Sequence, residues 1–264
     1  MWFLALLGVS GCLRSVGPET YTPDTAFETG LSVDGNADAI FAMKHVFAVL
    51  QTDPSPFGSG EESMAVTSIM RVAWTQDGTA VTWNETLCGL SSNMVFGTTT
   101  SYPEAFVSSM PRRTRSALLS GENTGATLTA GPFYDVVGAE LEDPATDALP
   151  TEAGDSRVTD PDGDGNPGVT VDVDQSILGR GSVYVAQRLD QSMEGTLISE
   201  DRIEGYVTGQ REQTILGATA SWLETEVQER PDPDPNHSFF IMQRVDSSTS
   251  CADILASQAE LFDN

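Results

Sequence analysis

Residues 64–75, MAVTSIMRVAWT, put Met64, Val66, Met70, Val72 and Trp74 on one side of an extended chain and Thr67, Arg71 and Thr75 on the other. A period of two is the mark of a half-buried strand. Gln76-Asp77-Gly78 follows, and Asp-Gly is a strong hairpin signal because the tight turn needs positive φ. The chain returns as TAVTWNETLC, with Val81, Trp83 and Leu87 on one face. A chain that carries this hairpin must bury one face of a sheet, and the remaining residues have to supply the cover.

Segments over 115–120, 125–129, 133–141, 168–173, 182–190, 194–199, 202–208, 211–217 and 237–245 also read as strands, separated by Gly, Asp or Asn. Many short strands with regular turn signals predict an all-β fold, a mainly antiparallel barrel or sandwich. Residues 39–50, AIFAMKHVFAVL, are apolar on both faces. Phe41, Met43, His45, Phe47 and Val49 would line one side of a strand, while the Ala, Met and Lys content also suits a helix. One or two short helices are expected, including a C-terminal one. Ser101-Tyr-Pro-Glu104 has a capping-box pattern, with Pro111 as the stop. Ser250-Cys-Ala-Asp253 caps a final helix that carries Ile254, Leu255, Leu261 and Phe262 on one stripe. Residues 37–264 fit one β-rich domain in length.

Charge removes whole classes of partner. The chain has 39 acidic residues against 13 basic ones, a formal net charge of −26, and Lys44 is its single lysine. Such a surface repels nucleic-acid phosphates and anionic headgroups, so neither nucleic acid nor electrostatic adsorption to a membrane is expected. No segment reaches the ~20 apolar residues of a spanning helix.

The first residues, MWFLALLGVSGC, run from an apolar core into small residues, as a secretory signal does. Val9-Ser10-Gly11-Cys12 resembles the lipobox of bacterial lipoproteins. The resemblance implies that residues 1–11 are a signal peptide and that the Cys12 thiol receives a diacylglycerol. The amino group freed by cleavage then takes a further acyl chain, such as palmitate. Each buried methylene is worth roughly 0.8 kcal/mol, so two or three chains hold a protein on the cell envelope. Leu13 stands where enteric lipoproteins retained at the inner membrane carry aspartate, which implies the outer membrane. Residues 12–36, rich in Gly, Pro, Ser, Thr and Asp, read as a flexible tether. With Cys12 lipidated, Cys88 and Cys251 remain in an oxidising compartment, where a disulfide between them is expected, with two buried free thiols as the alternative.

Residues 160–168, DPDGDGNPG, place Asp160, Asp162 and Asp164 at alternate positions, followed by Gly165 and Asn166. Calcium takes six to eight oxygens, and a turn with alternating aspartates aims carboxylates inward. Val171 stands where an EF-hand needs a bidentate Glu, so this is not an EF-hand. The stretch resembles the DxDGDGxPG calcium loops of thrombospondin type 3 repeats. That resemblance implies a stabilising calcium held by the three aspartates and the Asn166 carbonyl, with Asp155, Asp172 and Asp174 adding charge. The alternative is a solvated acidic turn. Taken with the lipobox and the cysteine at the final cap, the chain resembles a class of Gram-negative bacterial lipoproteins, which implies a location and no activity.

No other motif carries chemistry. His45 and His237 are the only histidines, the first expected as a satisfied core residue and the second as exposed. Arg112, Arg113 and Arg115 form a small basic island, expected to be solvated or ion-paired. No nucleophile elbow, GxGxxG or phosphate loop occurs, and no catalytic residue is assigned. No polar cluster stands out that could orient a ligand. The leading expectation is therefore a lipid-anchored envelope protein with a non-enzymatic binding or structural role. The alternative is a lipocalin-like carrier of a small apolar ligand, and a weaker one is a hydrolase using scattered carboxylates. A closed barrel with a deep cavity would favour the carrier, and a core filled by side chains the structural module.

Overall fold

The computed structural model describes residues 15–24, 35–53, 60–121, 125–225 and 227–263. Cys12 lies outside them, as do residues 25–34 of the expected tether. The strands are β1 (Asn36–Thr52), β2 (Glu61–Asp77), β3 (Ala80–Ser92), β4 (Thr98–Ser101), β5 (Arg113–Ser120) and β6 (Thr127–Val137). They continue with β7 (Val169–Gln175), β8 (Gly179–Ser199), β9 (Arg202–Ala218), β10 (Glu229–Pro231) and β11 (Phe239–Val245). Three short helices are α1 (Glu104–Ser109), α2 (Cys251–Ala256) and α3 (Gln258–Phe262).

The fold is all-β. β1, β2, β3, β5, β6, β8, β9 and β11 are antiparallel neighbours in that order, and β11 pairs back onto β1. The result is a closed up-and-down barrel. β7 and β4 extend one end from β8, and β10 joins β1 at that same end. Eight strands enclose an interior just wide enough to be filled by side chains or to hold one small ligand.

One half of that interior is filled. The β2–β3 hairpin turns at Gly78, where φ is +60°, and brings Trp74 opposite Trp83. Their rings stack at 5.8 Å, and Phe41 packs against Trp74. Met43, Leu128, Val207, Phe240 and Met242 close the same core. Burying such a side chain stabilises by roughly 1.5–3 kcal/mol.

β1 is a strand, and its two apolar faces have separate covers. Phe41, Met43, Phe47 and Val49 face the lumen cluster. Ala42, Val46 and Ala48 pack on the outside with Ile69, Phe239 and Ile241, beneath Ile254 and Phe262 of the C-terminal helices. Ser250 caps α2 through a complete capping box with Asp253. Leu255 is off the buried stripe, more than a third exposed. Cys88 sits at a bulge in β3, where the ladder passes from Gly89 to Leu87 opposite Ile69 and Met70. A disulfide joins it to Cys251, with Cα atoms 5.1 Å apart, and staples α2 to the hairpin.

Several boundaries differ from the sequence expectation. Residues 182–190 and 194–199 are one strand, β8, and residues 202–208 and 211–217 are one strand, β9. The expected breaks face each other at the Gln191–Gly209 pair. Gly209 is not a turn: it has φ +157°, and a Cβ there would lie 1.9 Å from the Asp190 carbonyl. Gly205 is similar, 2.1 Å from the Glu194 carbonyl. Both glycines let two long strands coil in close contact. Ser101 does not cap α1, because it is held in the β4–β7 ladder opposite Asp172, and Pro103 takes the cap position without a side-chain bond. Residues 15–24, within the expected tether, lie on the barrel wall. Tyr21 is buried there, stacked on Phe239 and donating to Glu204 at 2.9 Å.

Candidate functional site in the barrel lumen

Above the packed half, strands from around the barrel turn polar side chains inward at one level. β1 supplies His45, β3 Glu85, β5 Arg113 and Arg115, β6 Asp135, and β8 Gln191. They line a cavity of about 140 Å³ whose remaining walls are mostly apolar, among them Phe47, Met70, Leu87 and Phe133. Beyond Glu85, β3 has no β5 partner, and α1 packs over that stretch with Phe106 buried.

The charges in this belt neutralise one another. Arg115 donates from Nε to Glu85 at 3.1 Å and from both terminal nitrogens to Asp135 at 2.9 and 2.6 Å. Arg113 reaches Asp135 at 3.2 Å, and the Trp83 indole donates to Glu85 at 2.8 Å. The Arg115 guanidinium also lies 4.4 Å over the Phe133 ring. Burial alone would lower the Arg115 pKa, but Asp135 and Glu85 outweigh it and raise it above the ordinary value. Two guanidiniums thus face two carboxylates. A neutral, multiply bonded cluster is the form in which buried charge is tolerated.

His45 and Gln191 are the exceptions to this satisfaction. His45 is buried, and burial first, then the Arg115 charge, lower its pKa to about 4, so the imidazole is neutral at pH 7. Its Nε2 has no hydrogen-bond partner. Gln191 donates to Asp135 at 3.3 Å, which leaves its Oε1 buried and unpartnered. His45 is the core residue expected of it, beside the Gln191 side chain, with its Nε2 outside hydrogen-bond geometry. His237 is half-buried rather than exposed, with Nδ1 2.9 Å from Asp232. Arg115 is inside the barrel, so Arg112, Arg113 and Arg115 do not form one surface island.

No polar cluster able to orient a ligand is expected from the sequence, and this belt is one. Its members are spread over nearly 150 positions and come from different strands, so spacing could not reveal them. A signal was nevertheless present. Each is a polar residue at an inward position of an apolar alternation: Met43-His45-Phe47, Trp83-Glu85-Leu87, Arg115 before Ala117 and Leu119, Phe133-Asp135-Val137, Leu189-Gln191-Met193.

The aspartate loop lies at the start of β7. Carboxylate oxygens of Asp160, Asp162 and Asp164 come within 4.8 Å of one another. Asp160 accepts from the backbone N–H groups of Gly163, Asp164 and Gly165, which shapes the turn. Asp164 accepts from Asn166 and Thr170, and Asp162 Oδ2 from the Thr170 N–H at 2.8 Å. Asp162 Oδ1 is buried without a partner. Burial and the neighbouring aspartates raise the Asp162 pKa. Three carboxylates can supply part of a calcium shell of six to eight oxygens. The Asn166 side chain turns its amide to Asp164 at 3.1 Å. Asp155, Asp172 and Asp174 are engaged elsewhere, with Arg157, Ser182 and Arg180.

No protein-family model, curated protein or solved structure matches this chain.

Proposed function

We propose that the protein is a lipid-anchored envelope protein whose barrel holds a small, mainly apolar molecule in its lumen, with the aspartate loop as a stabilising calcium site. The observation that carries the binding role is the closed barrel with a mostly apolar cavity of about 140 Å³ above a packed floor. A cavity of about 150 Å³ accepts one benzene-sized molecule. This favours the carrier over a purely structural module, whose lumen would be filled throughout. The anchor rests on Val9-Ser10-Gly11-Cys12. A carrier on a lipid anchor would sample apolar compounds close to the membrane that releases them.

Toluene titration tests the lumen. Added to the full chain carrying Cys12→Ser, which avoids detergent, toluene should give saturable NMR shifts at the Met70 and Met193 methyls. Leu189→Trp, which fills the cavity, should abolish them. Shifts that never saturate would remove the carrier reading. The anchor is tested separately: labelled palmitate should enter the wild-type protein in a Gram-negative host and be absent from Cys12→Ala.

A further inference from the structure

We infer that the tip of the β7–β8 hairpin, Ile177 and Leu178, inserts into the bilayer that carries the Cys12 anchor, so that the barrel stands with its β4–β7 end against the membrane. This goes beyond the anchor reading and rests on it. Its first ground is a grouping of exposed apolar side chains. Ile177 is 73% exposed, Leu178 58% and Val16 53%, and all three lie at that end of the barrel. Among the described residues the other exposed large apolar side chains are Leu118, Tyr134 and Leu255, which stand singly on β5, β6 and α2. Single exposed apolar residues are ordinary, whereas a group at one place marks a contact surface.

The second ground is where the chain enters the fold. Ser15 donates to Glu62 at 2.6 Å, Val16 donates to the Met94 carbonyl at 3.0 Å, and the Asn93 amide donates to the Val16 carbonyl at 2.7 Å. Residues 93–97 join β3 to β4, and the Gly97 carbonyl accepts from the Ser176 N–H at 3.2 Å, one residue before the apolar tip. One connection thus holds both the entry point and the tip. Cys12 and Ser15 are three Cα steps apart, a reach of at most about 11 Å. Acyl chains on Cys12 lie in the bilayer, so this end of the barrel stands no further than that from its surface. The tip is also built for an apolar medium. Besides the Ser176 N–H, the N–H groups of Ile177 and Leu178 are satisfied, both donating to Gln175 Oε1 at 2.7 Å, so losing water strands none of these donors. Arg180 pairs with Asp174 at 2.6 Å, which leaves residues 174–180 without net charge in a chain of −26. A protein partner could cover the same side chains, but only the bilayer is brought within reach by the anchor itself.

The test places a polarity-sensitive dye at Ile177→Cys in the lipidated full chain, purified from a Gram-negative host and reconstituted into phosphatidylcholine vesicles. With Cys88 and Cys251 bonded and Cys12 acylated, the introduced thiol is the one left to label. Zwitterionic lipid avoids repulsion by the acidic surface. On reconstitution the dye emission should shift to the blue and be quenched by lipids that carry a nitroxide on the acyl chain. The same dye at Leu178→Cys should behave alike. At Leu118→Cys, which pairs with Ala80 beside the β2–β3 turn at the opposite end, it should do neither. Both tip positions are exposed, so these substitutions leave the fold intact. Vesicle-bound protein whose dye at 177 and 178 stays as water-exposed as at 118 would overturn the insertion and leave the anchor standing. A blue shift without quenching would mean that a second copy or another protein covers the tip, and would also overturn it. If wild type takes no labelled palmitate and does not float with vesicles, the anchor and the insertion fall together.

Discussion

His45 shows what a neutral lumen requires of one residue. Its pKa in the fold is lowered to about 4, by burial and by the Arg115 charge, against 6.5 for the free side chain. A base with a depressed pKa contributes stability that is fully present above the unfolded value and lost as pH falls toward the folded one. Between pH 6.5 and 4 this group alone should therefore cost the fold about 3 kcal/mol, at 1.36 kcal/mol per unit. His45→Phe removes the titration while keeping a planar ring of similar size. Urea unfolding across that range should find the variant gaining on wild type by about 3 kcal/mol as the pH drops. Parallel curves would mean that His45 protonates inside the barrel at no cost. The Arg115 cluster makes the complementary point. Replacing one partner there strands a buried charge, a loss of about 3–5 kcal/mol in comparable sites, whereas the intact neutral set is compatible with a stable lumen.

The elements that hold the barrel's outer face are small, so their cross-link matters. α2 and α3 together carry only Ile254 and Phe262 as fully buried side chains, and they cover the outward face of β1 and β2. The Cys88–Cys251 bond spans 163 positions. A loop of that length limits the unfolded chain by roughly 5 kcal/mol on the chain-entropy model, an upper figure. Cys88→Ala with Cys251→Ala should lower stability by about 2–5 kcal/mol, and amide exchange should rise first at Ala42, Ala48 and Ile69. Uniform loss of protection instead would place the helices within the barrel's own cooperative unit. Much of this architecture was legible beforehand. The Trp74–Trp83 hairpin followed from alternation and one Asp-Gly, and the Ser250 cap from a four-residue pattern. The break at residues 209–210 was not, because a glycine at a close interstrand contact reads the same as a glycine in a turn. Nor was the docking of Tyr21, since one tyrosine in a Gly- and Pro-rich stretch gives no periodicity. The lumen belt was hidden for another reason: barrel closure, not sequence proximity, brings positions 45, 85, 115, 135 and 191 together.

At the scale of the whole molecule, a net charge of −26 opposes the compact state, and the aspartate loop concentrates that opposition locally. A cation at Asp160, Asp162 and Asp164 would relieve it in two ways, by general screening and by specific ligation, and these can be separated. Ligation follows mass action. Three carboxylates favour binding, while the lack of an acidic residue at the twelfth position weakens it, so the dissociation constant should fall in the extracellular-module range of roughly 10⁻⁴ to 10⁻³ M. At about 10 mM calcium the gain is then about 1.4–2.7 kcal/mol, a rise in melting temperature of about 3–10 °C for a chain of this size. Sodium chloride at matched ionic strength supplies the screening without the ligation and should shift the transition less. Magnesium should also do less, because it demands a tighter octahedron and gives up water reluctantly. Asp162→Asn with Asp164→Asn removes two of the three carboxylates and the partnerless Oδ1 of Asp162 as an anionic ligand. That variant should respond to calcium no more than to sodium. A calcium response of equal size in wild type and double variant would reduce the loop to an acidic turn on a highly charged barrel.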